Sequence, residues 1–133
     1  MNAILNFVME LAPLIELGRI PHTIRPYRSD ARDPQPGDLL YLYTGRNTPG
    51  SRLLRTEVCE YVVAITILPT FGTLAQVLLG SEMLDAVKVE SLAQANGFSD
   101  SEMMITYYQA LYGLPFSGNL IGWAAQPSYL TTH

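Results

Sequence analysis

The sequence predicts an α+β fold, a small β-barrel of about five to six strands with helices packed at its rim. Three observations lead there. A chain of 133 residues has room for one compact domain. A composition of 48% hydrophobic against 15% charged residues supports a buried core and excludes a disordered chain. About five strand-type apolar runs with separate helical stretches point to α+β.

Taken in order, Asn2 to Val8 is an apolar run of strand length. Glu10 to Gly18 puts Leu11, Leu14, Ile15 and Leu17 near one helical face, with Gly18 as the stop. The polar stretch from Arg19 to Gly37, rich in Arg, Pro and Asp, reads as a long loop of the kind that is functional or mobile. Asp38 to Tyr43 is the next strand, with Asp38 capping the turn into it. A Gly/Pro/Ser turn over Gly45 to Ser51 follows. Leu53 to Leu68, with Val58, Val62, Val63, Ile65, Thr66 and Ile67, reads as one long or bent strand. Ala75 to Leu79 is a weaker strand. Val87 to Ala95 is helical and closed by Asn96-Gly97, and Ser99 or Asp100 caps a helix from Glu102 to Tyr112 that Gly113 ends. Asn119 to Ala125 is the last strand. These elements make a single domain over residues 1–126 and a tail over 127–133.

Net charge is −4, yet the charges are unevenly spread. Seven of the eight basic residues are Arg19, Arg25, Arg28, Arg32, Arg46, Arg52 and Arg55, all within the first 55 positions. Lys88 alone faces Glu57, Glu60, Glu82, Asp85, Glu90, Asp100 and Glu102 in the rest. A planar guanidinium fork binds phosphate in two-point fashion and stacks on bases. Tyr27, Tyr41 and Tyr43 lie among these arginines as stacking surfaces. The same pattern also fits a solvated loop whose arginines pair with Asp30, Asp33 and Asp38.

One cysteine, Cys59, precludes an internal disulfide and reads as a buried thiol inside a strand. The first twenty residues lack the basic start of a signal peptide. The uncharged stretch from Tyr61 to Ser81 is punctuated by Pro69, Gly72 and Gly80, which suits strands and a turn better than a membrane span. The expectation is a cytoplasmic protein with no membrane association. His22, His133 and Cys59 are too few and too scattered for a transition-metal site, and no phosphate-loop or dinucleotide motif occurs, so no metal or cofactor is expected. From Met103 to His133 no charged residue occurs, and this segment reads either as core, with Phe116 and Trp123 inside, or as a homodimer surface.

Laid out this way, the chain resembles the ASCH domains of the PUA-like superfamily, especially short phage and bacterial versions. Gly18-Arg19-Ile20-Pro21-His22-Thr23-Ile24-Arg25 is similar to the family's G-R-K-x-x-T-I-R signature. Pro36-Gly37-Asp38 matches its P-G-D step into a strand, Asn96-Gly97-Phe98 its D-G-F element, and Gly118 to Trp123 its closing G-x-L-I-x-W strand. The resemblance implies a small barrel with a cleft that receives RNA, a nucleotide or a modified base.

Some ASCH proteins remove an acyl group from a modified cytidine with a Thr nucleophile, a Lys three residues earlier and an acid before the second helix. Thr23 matches the nucleophile, but Ile20 stands at the Lys position and Asn96 at the acidic one. A threonine hydroxyl needs a neighbouring base to attack at neutral pH. His22 has a suitable ordinary pKa, but neighbouring side chains of an extended segment point to opposite faces, so it reads as a contact to ligand or solvent instead. The vacant positions argue against this hydrolase activity.

The sequence therefore favours a binding module for single-stranded RNA, a nucleotide or a modified nucleoside. Arg19, Arg25 and Arg46 would meet phosphate, Thr23 and Asn96 the base edge, and Tyr43 would stack, with His22 nearby. Two alternatives remain beside it: a hydrolase acting through Thr23 and His22 on acylated or modified cytidine or RNA, and a phage-type inhibitor that works by protein interaction.

Overall fold

A computed structural model describes residues 1–72 and 74–130. It has eight strands: β1 (Asn2–Phe7), β2 (His22–Pro26), β3 (Leu39–Thr44), β4 (Arg52–Val58), β5 (Tyr61–Phe71), β6 (Leu74–Leu79), β7 (Glu82–Met83) and β8 (Phe116–Gly122). Three helices accompany them: α1 (Ala12–Glu16), α2 (Ala86–Ala95) and α3 (Ser101–Tyr112). The α+β class holds. The strands pair as a three-stranded sheet in the order β1-β3-β4 and a five-stranded sheet in the order β2-β8-β5-β6-β7, and no closed barrel is found in the pairing of the described residues. β1 runs parallel to β3; every other pair is antiparallel.

Three stretches differ from the sequence reading. The run from Leu53 to Leu68 is two strands in different sheets. The Cys59 amide donates to Asp38 in the first sheet, and the next amide, Glu60, donates to Gly122 in the second. Continuous β-branched patterning hides this crossover, because the alternation carries through it. The stretch from Arg19 to Gly37 contains β2, paired with β8 from His22↔Gly122 to Pro26↔Gly118. Its His, Thr and Arg resemble loop residues, yet their polar groups are satisfied inside the fold. The helix expected over Glu10 to Gly18 contracts to a single 3-10 turn (Met9–Leu11) and the short α1, where Pro13 sits in the first turn and Leu17 stays exposed.

Both later helices have side-chain caps. Asp85 accepts from the Lys88 amide, and Asp100 accepts from the Met103 amide, each at 2.9 Å. Asp38 accepts from the Gln35 amide at 2.9 Å and from Arg32 at 2.7 and 2.8 Å, which fixes the entry to β3 as expected.

Two cores lie on either side of the five-stranded sheet. One joins Ile24, Ile65, Ile67, Val77 and Leu120 to Val89, Leu92, Met104 and Tyr108 of the helices. The other joins Leu5, Phe7, Leu40 and Leu42 of the three-stranded sheet to Ile15, Ile20, Cys59, Ile121 and Trp123. Successive residues of a strand face opposite sides, so Leu120 enters the first core and Ile121 the second. β8 is thus buried on both faces, and Phe116, Trp123 and Cys59 are core residues.

The outer edges of β1 and β2 meet without a backbone ladder. Arg25 Nη2 donates to the Asn6 carbonyl at 2.7 Å, and Arg28 Nη2 donates to the Ile4 carbonyl at 3.0 Å. The two sheets are therefore joined along this seam by arginine side chains.

Gly122 allows the Tyr61 ring to lie directly against β8, because a Cβ there would fall within that ring. Gly122→Ala is expected to cost about 1–3 kcal/mol or more through overpacking, read as a lower thermal or urea unfolding midpoint.

Candidate functional site

A cavity of about 500 Å³ opens between the β1 end, β2 and the helices. Thr23 and Arg25 reach it from β2, Asn96 from the end of α2, and Met103, Tyr107, Tyr108 and Tyr112 from α3, with Phe7, Phe98 and Glu10 completing its wall. Asn96 is held there because Gly97 takes a positive φ of 94°, which ends α2 and brings the turn against Leu11, with which a Cβ would collide.

Arg25 is half-buried and crosses the Phe7 ring, 4.7 Å from its centroid. Its Nε donates to Thr23 Oγ1 at 3.2 Å, and it makes no ion pair among the described residues. Burial pulls its pKa below the ordinary value, opposed by the hydroxyls of Tyr108, Tyr107 and Tyr112. It is still a cation, and one without a counter-charge.

Behind the cavity wall lies a buried polar chain. His22 is fully buried, with Nδ1 2.8 Å from Asn96 Oδ1 and Nε2 hydrogen-bonded to Tyr129 Oη. The two rings also meet edge to face, with centroids 5.7 Å apart. Burial lowers the His22 pKa, outweighing its hydrogen bond to Asn96. Two buried side-chain polar atoms have no partner among the described residues, Tyr61 Oη and Asn96 Nδ2, and only Asn96 of these lines the cavity. An orphaned buried donor costs about 1–3 kcal/mol.

Of the residues singled out from the sequence, Thr23, Arg25 and Asn96 come together in this cavity. His22 does not: it is committed to Asn96 and Tyr129, so the expected contact with ligand or solvent gives way to an internal role. Arg19 is exposed and away from the lining, and Arg46 lies over the Tyr43 ring at 5.2 Å, so neither these arginines nor Tyr43 faces the cavity. Of the remaining arginines, Arg32 pairs with Asp38, Arg52 with Glu16 and Arg55 with Glu57, while Arg28 donates to the Ile4 carbonyl. Ile20 is core, so no base stands at the Lys position beside Thr23.

Sequence reasoning missed Glu10, Met103, Tyr107 and Tyr129. Glu10 fell in a segment read for its helical pattern, and Met103 and Tyr107 in the uncharged stretch read as core or as a homodimer surface. Tyr129 was assigned to the tail over 127–133, yet it is buried. Residues 131–133 of that tail, including His133, lie outside the described residues.

No protein-family model, curated protein or solved structure matches the chain. Among the described residues, no group of three or more His, Cys, Asp or Glu could hold a metal ion, and no helix is long and apolar enough to cross a membrane.

Because burial holds the His22 pKa below the ordinary 6.5 of an unfolded histidine, the unfolded chain binds the proton more readily as pH falls. Stability is therefore expected to fall as pH drops below about 6.5, and His22→Gln should remove that part of the slope in urea unfolding measured between about pH 7.5 and 5.5.

Proposed function

We propose that the chain is a nucleotide-binding module of the ASCH type within the PUA-like superfamily, its two sheets forming the halves of a small split barrel. The ligand is a nucleotide, a modified nucleoside or one nucleotide of single-stranded RNA, seated in the cavity lined by Thr23, Arg25 and Asn96. The observation that carries this reading is a cavity lined by a guanidinium without an ion-pair partner among the described residues, by Asn96 and by three tyrosines.

The size of the cavity suits one base and its sugar. Its aromatic wall of Tyr107, Tyr108 and Tyr112 offers stacking surfaces. A second groove of about 370 Å³ adjoins it, sharing Arg25 and Tyr112 and including Tyr27, Arg28 and Asp30. A base in the first cavity would direct its phosphate towards Arg25 and Arg28 at this junction. In this reading the phosphate contact rests on Arg25, since Arg19 and Arg46 do not line the cavity.

The hydrolase alternative has less support. Thr23 Oγ1 accepts from Arg25, Ile20 is buried, and both His22 nitrogens are engaged, so none of them can serve as its base.

Calorimetric titration with the four ribonucleoside monophosphates, alongside anisotropy of a short single-stranded RNA at about 50 and 200 mM salt, tests the proposal. Binding is expected to weaken about tenfold in Asn96→Ala and to weaken again in Arg25→Lys, which keeps charge but loses the fork. Affinities unchanged in both variants, or no binding of any probe, would overturn it.

A further inference from the structure

The seam between β1 and β2 brings two cations together. Arg25 and Arg28 are both half-buried, and neither forms an ion pair among the described residues. The charge of Arg28 adds to the downward pull on the Arg25 pKa, so the two guanidinium groups repel one another. The Asp33 carboxylate accepts from the Arg28 amide, and Asp30 lines the adjoining groove without pairing with either arginine. Each guanidinium commits Nη2 to a carbonyl of β1 and keeps Nη1 without a hydrogen-bond partner among the described residues. Those carbonyls, at Ile4 and Asn6, are two residues apart on one strand, so the forks are anchored about 7 Å apart. That spacing suits successive phosphates of an extended single strand and is too wide for the adjoining phosphates of a nucleoside diphosphate.

The groove also has room for more than phosphate, with a volume of about 370 Å³. Tyr27 and Tyr112, 52% and 51% exposed, line it and offer faces to a base. Arg25 and Tyr112 line the first cavity as well, so the two spaces meet at these residues. We infer that the groove is a second nucleotide subsite, so that the ligand is a single-stranded oligonucleotide of two or more nucleotides and not a free mononucleotide. The inference rests on the nucleotide-binding reading above and names the ligand class within it. The first nucleotide occupies the aromatic cavity with its phosphate on Arg25. The second places its phosphate on Arg28 and its base against Tyr27, with Tyr112 at the junction. Guanidinium suits both positions, because one nitrogen holds the protein carbonyl while another grips a phosphate oxygen. The bound phosphates offset the repulsion between the two cations, which a neutral occupant would leave in place.

Calorimetry on the full chain tests this with three probes for each base: the monophosphate, the diphosphate and the 5′-phosphorylated dinucleotide, from UMP, UDP and pUpU to GMP, GDP and pGpG. For the base that binds best, the dinucleotide is expected to bind about tenfold or more tightly than either mononucleotide, the gain that a further stacked base supplies. Arg28→Ala and Tyr27→Ala should each shrink that advantage over the monophosphate to within about threefold, with folding checked by circular dichroism. Tyr27 is exposed, so its variant keeps the test informative if loss of Arg28 loosens the seam. A dinucleotide that binds no more tightly than the monophosphate would overturn the second subsite and leave the nucleotide reading standing. A diphosphate that matches the dinucleotide would overturn it too, assigning both arginines to one pyrophosphate. An advantage unchanged in both variants would place the second nucleotide elsewhere and overturn it as well. If no probe binds, the nucleotide reading and the second subsite fall together.

Discussion

Everything in this fold depends on β8 being covered on both faces. Its Leu120 packs towards the helices and its neighbour Ile121 towards the three-stranded sheet, so one short strand is the shared wall of two cores. It also pairs on both edges, with β2 and β5. A strand enclosed this way cannot tolerate an unsatisfied polar group or extra volume, which accounts for glycines at 118 and 122, where a Cβ would strike Arg25 backbone and the Tyr61 ring. β2 inherits its position from β8, and with it Thr23 and Arg25 gain theirs.

The polar residues of β2 show how such a fold accommodates hydrogen-bonding groups. His22, Thr23 and Arg25 are consecutive or nearly so, and each is satisfied differently: His22 by side chains from the end of α2 and from beyond β8, Thr23 by Arg25, and Arg25 by a carbonyl of β1. Arginine suits the last position because its rigid fork can reach two acceptors at once while its flat face rests on Phe7. Among the described residues, Tyr61 Oη and Asn96 Nδ2 stay unmatched, as does the uncompensated charge of Arg25.

Much of this architecture was legible in the sequence, because periodicity and punctuation are local properties. The caps at Asp100 and Asp38, the stop at Asn96-Gly97 and the core positions of Phe116, Trp123 and Cys59 all follow from residue type and spacing. The crossover at Cys59-Glu60 left no mark, since alternation continues while the partner strand changes. β2 was obscured because a buried histidine or arginine looks the same in sequence as an exposed one. The site was legible to the extent that Thr23, Arg25 and Asn96 were singled out. Clustering of arginines along the chain misled as to Arg19 and Arg46, because sequence proximity does not say which cations find carboxylates, rings or carbonyls. Tyr129 was invisible as a contributor, since its contact with His22 spans 107 positions.

The seam between β1 and β2 has a consequence for how the molecule meets its own copies. β1 is a border strand of its sheet, and such a border ordinarily offers carbonyls on which another chain can extend the sheet. Here two of those carbonyls, at Ile4 and Asn6, are already occupied by guanidinium groups. A second molecule adding a strand would have to strip away both hydrogen bonds and bring its backbone against two positive charges. The arginines that give the N-terminal half its basic character thus also guard it against edge-to-edge aggregation.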